Sequence, residues 1–265
     1  MALDARGFAR TTLTSAGIAV ATQAAAYVAS RRDGRLMVVD VAWGPGLAAV
    51  AAGSALAGTG DRARRGILAA GLGAWGLRLG SHLLSRVRST DEEDERYAEL
   101  TEGDSEAVKV LKIFVGQGVA QWAIGLPVQV AAASGPVGPA GRVLVALGTS
   151  GILGGLTLEA VADRQKSAFY ERDADERPAI CRDGVWNWSR HPNYFGDSCV
   201  WNGAYLVAAA ASPGVWTFLS PAVMTYLLVW GSGAKPSEER LKGREGYDAY
   251  RREVSFFVPR PPRRD

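Results

Sequence analysis

Long runs almost free of charge constrain this chain more than any other feature. Seven stretches, roughly 11–30, 36–57, 66–85, 108–133, 141–162, 196–212 and 214–233, are apolar and long enough, or nearly so, to cross a bilayer. Ala, Gly, Val and Leu dominate them, and the 32 glycines suit close helix packing in lipid. The mean hydropathy near zero hides this segregation, because the charges are gathered into a few blocks. Eight tryptophans fit interface belts as well as a core. A soluble helical protein with buried helices is the competing reading, and charge-poor runs of about twenty residues argue against it. The first stretch is expected to be a span and no cleavable signal, since few positive charges precede it and more spans follow. Ser212-Pro213-Gly214 suits a tight turn between the last two stretches.

Lys and Arg asymmetry gives an orientation. Arg31, Arg32, Arg35, Arg86, Arg88, Arg96, Lys109, Lys112, the basic residues from Arg164 to Arg190 and the tail from Lys235 to Arg264 fall on one side. Only Arg6, Arg10, Arg62, Arg64, Arg65 and Arg142 fall on the other. The expected topology is N-terminus out and C-terminus cytoplasmic. The net charge of +3 then reflects topology and points to no nucleic-acid partner. Cys181 and Cys199 form no CxxC pair, and His82 and His191 are far apart, so no metal site is expected. There is no P-loop and no GxGxxG fingerprint.

One segment concentrates chemistry: Ser189-Arg190-His191-Pro192-Asn193-Tyr194-Phe195-Gly196-Asp197. Pro192 suits the first turn of a helix, where no backbone N–H is needed. The free N–H groups of that turn, with Arg190 nearby, suit an anion such as a phosphate. Asn193 and Asp197, four apart, share a face of the helix. The competing reading is an anchor whose polar residues face headgroups.

Ionisable residues inside spans default to functional hypotheses. Asp40 precedes Trp43-Gly44-Pro45-Gly46, which is expected to kink the second span; Asp40 is read as a site or as the partner of Arg78. Arg78 and His82 share a face of the third span. Glu159, Asp163, Lys166 and Tyr170 make one stripe on the fifth. In the tail, Ser237 is expected to cap a helix with Glu238 and Glu239 in its first turn. Tyr247, Tyr250 and Arg251 are expected to share a face, and Phe256 and Phe257 to tuck back onto the core. The run Asp91-Glu92-Glu93-Asp94-Glu95-Arg96-Tyr97 reads as a solvated loop, with Tyr97 leaning over a cofactor mouth.

Several segments together resemble a known pattern: Val39-Asp40-Val41-Ala42-Trp43-Gly44, Leu77-Arg78-Leu79, Glu159 to Lys166, Gly184 to Asp197 and Ser232 to Glu239. They look like the bacterial DUF1295 branch of the steroid 5α-reductase-like proteins, over about residues 36–259. The resemblance implies an all-α integral membrane protein of the bacterial inner membrane, with about seven spans and a cytoplasmic-facing cofactor cavity. It implies a single transmembrane domain over residues 1–265, with about 155–260 carrying most of the cofactor site. The implied activity is NADPH-dependent reduction of an activated C=C bond in a lipophilic substrate, steroid-, isoprenoid- or enone-like. The Gln-Glu pair with which those enzymes meet a steroid ketone is not visible here. Cofactor roles are implied for Asn193, for Asp163 and for Asp197, where those enzymes carry Glu. Taken with the reading of the residues, the cofactor set is Glu159, Asp163, Arg190, His191, Asn193, Tyr194, Asp197, Glu238, Tyr247, Tyr250 and Arg251. The candidate proton donors or polarisers are Asp40, His82 and Tyr97. The Arg190-His191-Pro192-Asn193-Tyr194 run and the Glu238-Glu239 tail also resemble isoprenylcysteine carboxyl methyltransferases, for which the ligand is S-adenosylmethionine. A non-enzymatic lipid-binding membrane protein is the third reading.

Overall fold

The computed structural model describes residues 3–173, 175–231 and 233–263; Ser232 and Arg264, named above, lie outside the described residues. Among these residues there is no β-strand, only helices and two isolated bridges, Leu3–Ser134 and Ser189–Ser255. In chain order come α1 (Ala5–Asp33), a 3-10 helix (Leu36–Ala42), α2 (Trp43–Ala57), α3 (Arg62–Arg88), α4 (Glu95–Leu100), α5 (Glu106–Lys109), a π-helical turn (Val110–Val115), α6 (Gly116–Ile124) and α7 (Leu126–Ala132). Then follow α8 (Pro139–Tyr170), a 3-10 helix (Gly184–Asn187), α9 (Pro192–Ala209), a 3-10 helix (Ser212–Phe218), α10 (Leu219–Tyr226), a π-helical turn (Leu227–Gly231), α11 (Ala234–Leu241) and α12 (Tyr247–Glu253). The chain forms two compact units, 1–149 with 204–220, and 150–203 with 221–265.

Capping chemistry sets several helix starts. Asp4 accepts from Arg6 N at 3.1 Å, Asp61 from Arg64 N at 2.8 Å and Asp94 from Arg96 N at 3.0 Å, each satisfying an orphan donor of a first turn. Arg31 and Arg32 in the last turn of α1 oppose its negative dipole end.

In the first unit α1 is built inside out. Its buried face is Gly7, Thr11, Ser15, Ala19, Gln23, Ala26 and Ser30, a small and polar stripe at near-regular spacing of four. Leu13 and Val20 on its outer face are each 70% exposed. The stripe bonds to neighbouring helices: Ser15 Oγ meets Ser54 Oγ at 3.1 Å, Thr11 Oγ1 donates to Gln129 O at 3.1 Å, and Gln23 Nε2 donates to Gln121 Oε1 at 3.0 Å. Small polar residues inside and branched aliphatics outside are the arrangement of helices packed in lipid. α2 and α3 approach through Gly44 and Gly76; a Cβ on Gly44 would lie 2.6 Å from Gly76 O, so neither position accepts a side chain.

Among the described residues four stretches are long and apolar enough to cross a membrane: Leu36–Ala57, Arg62–Arg88, Pro139–Tyr170 and Ser212–Leu241. Glu106–Ile124 and Leu126–Ala132, bent by 42°, make a fifth if they act as one span. The sequence pattern suggested seven. The two remaining stretches are helical as α1 and α9, but the polar stripe of α1 and the polar start of α9 reduce their apolar character. The expected turn at Ser212-Pro213-Gly214 opens a 3-10 helix that continues toward α10.

In the second unit the chain end folds back, as the aromatic pair of the tail suggested. Arg190 N donates to Ser255 O at 2.9 Å, Ser189 Oγ to Phe257 O at 2.7 Å, and Arg260 N to Trp188 O at 3.0 Å. Phe257 meets Phe195 edge-on at 5.5 Å. Ser237 is not the expected cap. α11 begins three residues earlier, at Ala234, with Pro236 accommodated in the first turn, and Ser237 Oγ turns back to Gly233 O at 2.9 Å.

Candidate functional site

The second unit gathers most of the residues singled out for a cofactor. α9 begins at Pro192, as the proline rule implied, and sets Arg190 and His191 just before its first turn. Gly196 faces Gly155 of α8: a Cβ on Gly196 would sit 2.6 Å from Gly155 O, so two glycines let the helix backbones touch. That close approach brings Asn193 against Asp163, and Asn193 Nδ2 donates to Asp163 Oδ1 at 3.2 Å. Glu159, Asp163 and Asp197 are all buried. Glu238 of α11 receives both members of the Arg190-His191 pair. Its Oε1 lies 3.1 Å from an Arg190 terminal nitrogen and 3.2 Å from His191 Nε2. The His191 ring is stacked on Tyr194 at 5.9 Å and edge-on to Phe256 at 5.4 Å, while the Arg190 guanidinium lies 5.4 Å from the Phe256 ring centre.

Burial decides the protonation of this cluster. It pushes the His191 imidazole below its ordinary value, and the Arg190 charge adds to that, against the opposing pull of Glu238. His191 is therefore neutral near pH 7. A carboxylate only accepts, so the proton sits on Nε2 and Nδ1 is left as an acceptor. Burial also raises the phenols of Tyr247 and Tyr250, with Glu238 adding to the shift at Tyr247. Both stay protonated as donors, and Tyr250 OH donates to Trp186 O at 2.7 Å.

The acceptor Asn193 Oδ1 and the donor Arg190 Nε are among the polar atoms of the cluster that are buried without a hydrogen-bond partner among the described residues. Stranded atoms of this kind cost stability unless a ligand meets them.

Asp40 and Tyr97 belong to the first unit. Asp40 sits on the 3-10 helix Leu36–Ala42, where its Oδ1 accepts from Tyr97 OH and its Oδ2 lies 3.1 Å from Arg96. Sequence reasoning had offered Arg78 as the partner; the guanidinium that Asp40 meets is Arg96. The acidic run is only in part a solvated loop: Asp91, Glu92 and Glu95 are exposed, but Glu93, Asp94, Arg96 and Tyr97 are wholly or partly buried. Glu93 accepts from Leu36 N and Met37 N, and Asp94 caps α4 and pairs with Arg86 and Arg96, each at 2.9 Å. Burial alone would raise the Asp94 carboxyl, but the hydrogen bonds and charge of Arg96, with Arg86, hold it down to about 2. Tyr97 is buried among Met37, Val39, Ile113 and Phe114, and burial with the Asp40 charge pushes its phenol well above the ordinary range. His82 stands half-buried on α3.

Arg251 departs from the expected face. Tyr247 and Tyr250 are buried while Arg251 is exposed, because α12 presents only a two-residue stripe inward. Lys166 and Tyr170, which continue the stripe of Glu159 and Asp163, lie near the end of α8. Lys166 is half-buried, with Nζ 4.4 Å from the Trp186 ring centre, and Tyr170 is exposed. Sequence reasoning gave no role to Trp186 and Gln165. Trp186 Nε1 donates to Ala162 O at 2.9 Å, and Gln165 Oε1 accepts from Val185 N at 3.0 Å. Together they fasten the segment before the Arg190-His191 pair onto α8.

Fold and site thus define an all-helical protein with membrane-length apolar helices, carrying a buried cluster of cation, imidazole, amide and carboxylates. Its residues 26–254 match the family described as "Protein of unknown function (DUF1295)", and the chain belongs to that family. No curated protein and no solved structure matches it.

Proposed function

We propose that this protein is a membrane-embedded, NADPH-dependent reductase of an activated C=C bond in a lipophilic substrate. The observation that carries the reading is the pair of stranded atoms, Asn193 Oδ1 and Arg190 Nε. One acceptor and one donor in one buried cluster complement a carboxamide, which offers N–H donors and a carbonyl acceptor, as nicotinamide does. Glu159, Asp163 and Asp197 are buried carboxylates able to accept from ribose hydroxyls. Glu238 keeps Arg190 and His191 fixed, and Tyr194 with Phe256 holds the imidazole between rings. When bound, NADPH supplies the hydride. In the other unit, Tyr97 stays protonated on Asp40 and has the chemistry to polarise a carbonyl or deliver a proton; His82 is the second candidate. The reading includes seven spans, an N-terminus outside and a cofactor cavity facing the cytoplasm, supported by the Lys and Arg asymmetry.

The same two atoms also complement an ammonium and a carboxylate, the groups of S-adenosylmethionine. Thermal-shift titration of the purified protein with NADPH and with S-adenosylmethionine separates the readings. The reductase reading expects a saturable rise in melting temperature with NADPH alone. A rise with the methyl donor and none with NADPH overturns it.

A further inference from the structure

An apolar groove of about 430 Å³ runs between Ala16–Tyr27 of α1 and the facing stretch from Val110, in the π-helical turn, to Trp122 of α6. The eleven steps from Ala16 to Tyr27 at ~1.5 Å each give it a length of about 16 Å, the hydrocarbon depth of one bilayer leaflet, ~15 Å. At its Tyr27 end it meets a second cavity, of about 440 Å³, with which it shares Tyr27, Val110 and Phe114. That cavity is lined by charges of both signs, among them Arg31, Glu106 and Lys109. Arg31 and Glu106 are paired at 2.8 Å with side chains 59% and 65% exposed, so the pair is weak and free to exchange partners with a headgroup. Polar of both signs at one end and apolar for one leaflet's depth is the polarity of a zwitterionic lipid.

Gln23 adds a more specific signal. Its side chain lines the groove at 5% exposure, and Nε2 is used on Gln121. Its Oε1 is buried with no hydrogen-bond partner among the described residues. An amide oxygen left bare in apolar surroundings calls for a donor. Gly118, opposite, keeps the space open: a Cβ there would lie 3.3 Å from Gln23 Cγ. Gln23 is one helical turn from Tyr27, so the donor lies about 6 Å below the headgroup level.

We propose that groove and cavity together bind one membrane lipid with a zwitterionic phosphate headgroup, whose chain region carries an N–H or hydroxyl that donates to Gln23 Oε1. The inference goes beyond the reductase reading and does not depend on it, since binding is measured without NADPH. The probes are sphingomyelin and a phosphatidylcholine of matched chain length. They share the phosphocholine headgroup, and only sphingomyelin carries an amide N–H and a hydroxyl just below it. Titrated into the full-length protein in detergent, sphingomyelin is expected to bind about five-fold tighter, the worth of one hydrogen bond. Gln23→Leu is expected to erase that preference and keep phosphatidylcholine binding, while Gly118→Leu weakens both lipids by about tenfold or more. Val119→Trp, at an exposed position on the same wall, gives the same readout where Gly118→Leu fails to fold. Equal affinity for the two lipids in the unaltered protein overturns the proposal. So does undiminished binding when the groove is filled, or binding of water-soluble phosphocholine as tight as that of the lipid.

Discussion

His191 Nε2 and Glu238 Oε1 stand 3.2 Å apart, joining the residue before α9 to the inner face of α11. The same carboxylate oxygen lies 3.1 Å from an Arg190 terminal nitrogen, so one glutamate holds adjacent residues of the most chemically dense segment in the chain. The neutral state of His191 makes this cluster a buried dipole and ion pair rather than a pair of cations around one anion.

That state gives a pH dependence with a fixed sign. The folded His191 pKa lies below the ordinary value of about 6.5, so the unfolded chain binds its proton first as pH falls. Stability from this residue is complete above about 6.5 and declines below it, by at most ~1.4 kcal/mol per pH unit, until the folded imidazole also protonates. Melting curves of the wild type and His191→Gln between about pH 5 and about pH 7 in detergent check this. The difference between the two proteins is expected to shrink as pH falls. A constant difference contradicts the assignment.

The Gly155–Gly196 approach yields a contrast between two helical glycines, one on α9 and one on α8. A Cβ on Gly196 would meet backbone at 2.6 Å, whereas one on Gly154 meets nothing within 4 Å. Gly196→Ala is expected to destabilise by about 1–3 kcal/mol, as overpacking does, and to weaken nucleotide binding by displacing Asn193. Gly154→Ala is expected to be neutral or stabilising by up to ~1 kcal/mol. Chemical unfolding midpoints of the two variants decide this, and equal effects contradict the packing account.

Local chemistry was the legible part of this fold. Pro192 marked a helix start, and Phe256 with Phe257 marked a tail that returns. The family resemblance also grouped Asp163 with Asn193, which spacing alone did not. The acidic run from Asp91 to Tyr97 was opaque, because its partners lie far away in sequence: Glu93 serves the amides of Leu36 and Met37, and Tyr97 reaches Asp40. Charge density reads as solvation unless those amides are known to need an acceptor. α1 was legible as a helix, but its Thr, Ser and Gln stripe signals a buried polar seam only once Ser54, Gln121 and Gln129 are seen opposite.

The Asp40–Tyr97 pair offers a test of the proposed reductase in which chemistry and cofactor binding are read separately. Tyr97→Phe keeps the ring in its apolar cluster and removes the hydroxyl that Asp40 accepts. Loss of a general acid or polariser is expected to lower turnover of an enone by roughly 10²-fold or more. NADPH affinity is expected to stay unchanged. Stopped-flow oxidation of NADPH together with equilibrium titration measures both, and unchanged turnover removes Tyr97 from the reaction.

The central claim is that the cluster around Asn193 holds a nicotinamide dinucleotide. Calorimetric titration of NADPH into the wild type and Asn193→Ala, with melting temperature recorded on the same samples, tests it most directly. The claim expects saturable binding by the wild type and a dissociation constant raised about five-fold or more in the variant, since one lost hydrogen bond is worth about 1 kcal/mol. The variant is expected to keep its fold at a cost of about 1 kcal/mol, since it loses the Nδ2 bond to Asp163 while Oδ1 has no hydrogen-bond partner among the described residues. No NADPH binding by the wild type, or unchanged affinity in the variant, contradicts the claim.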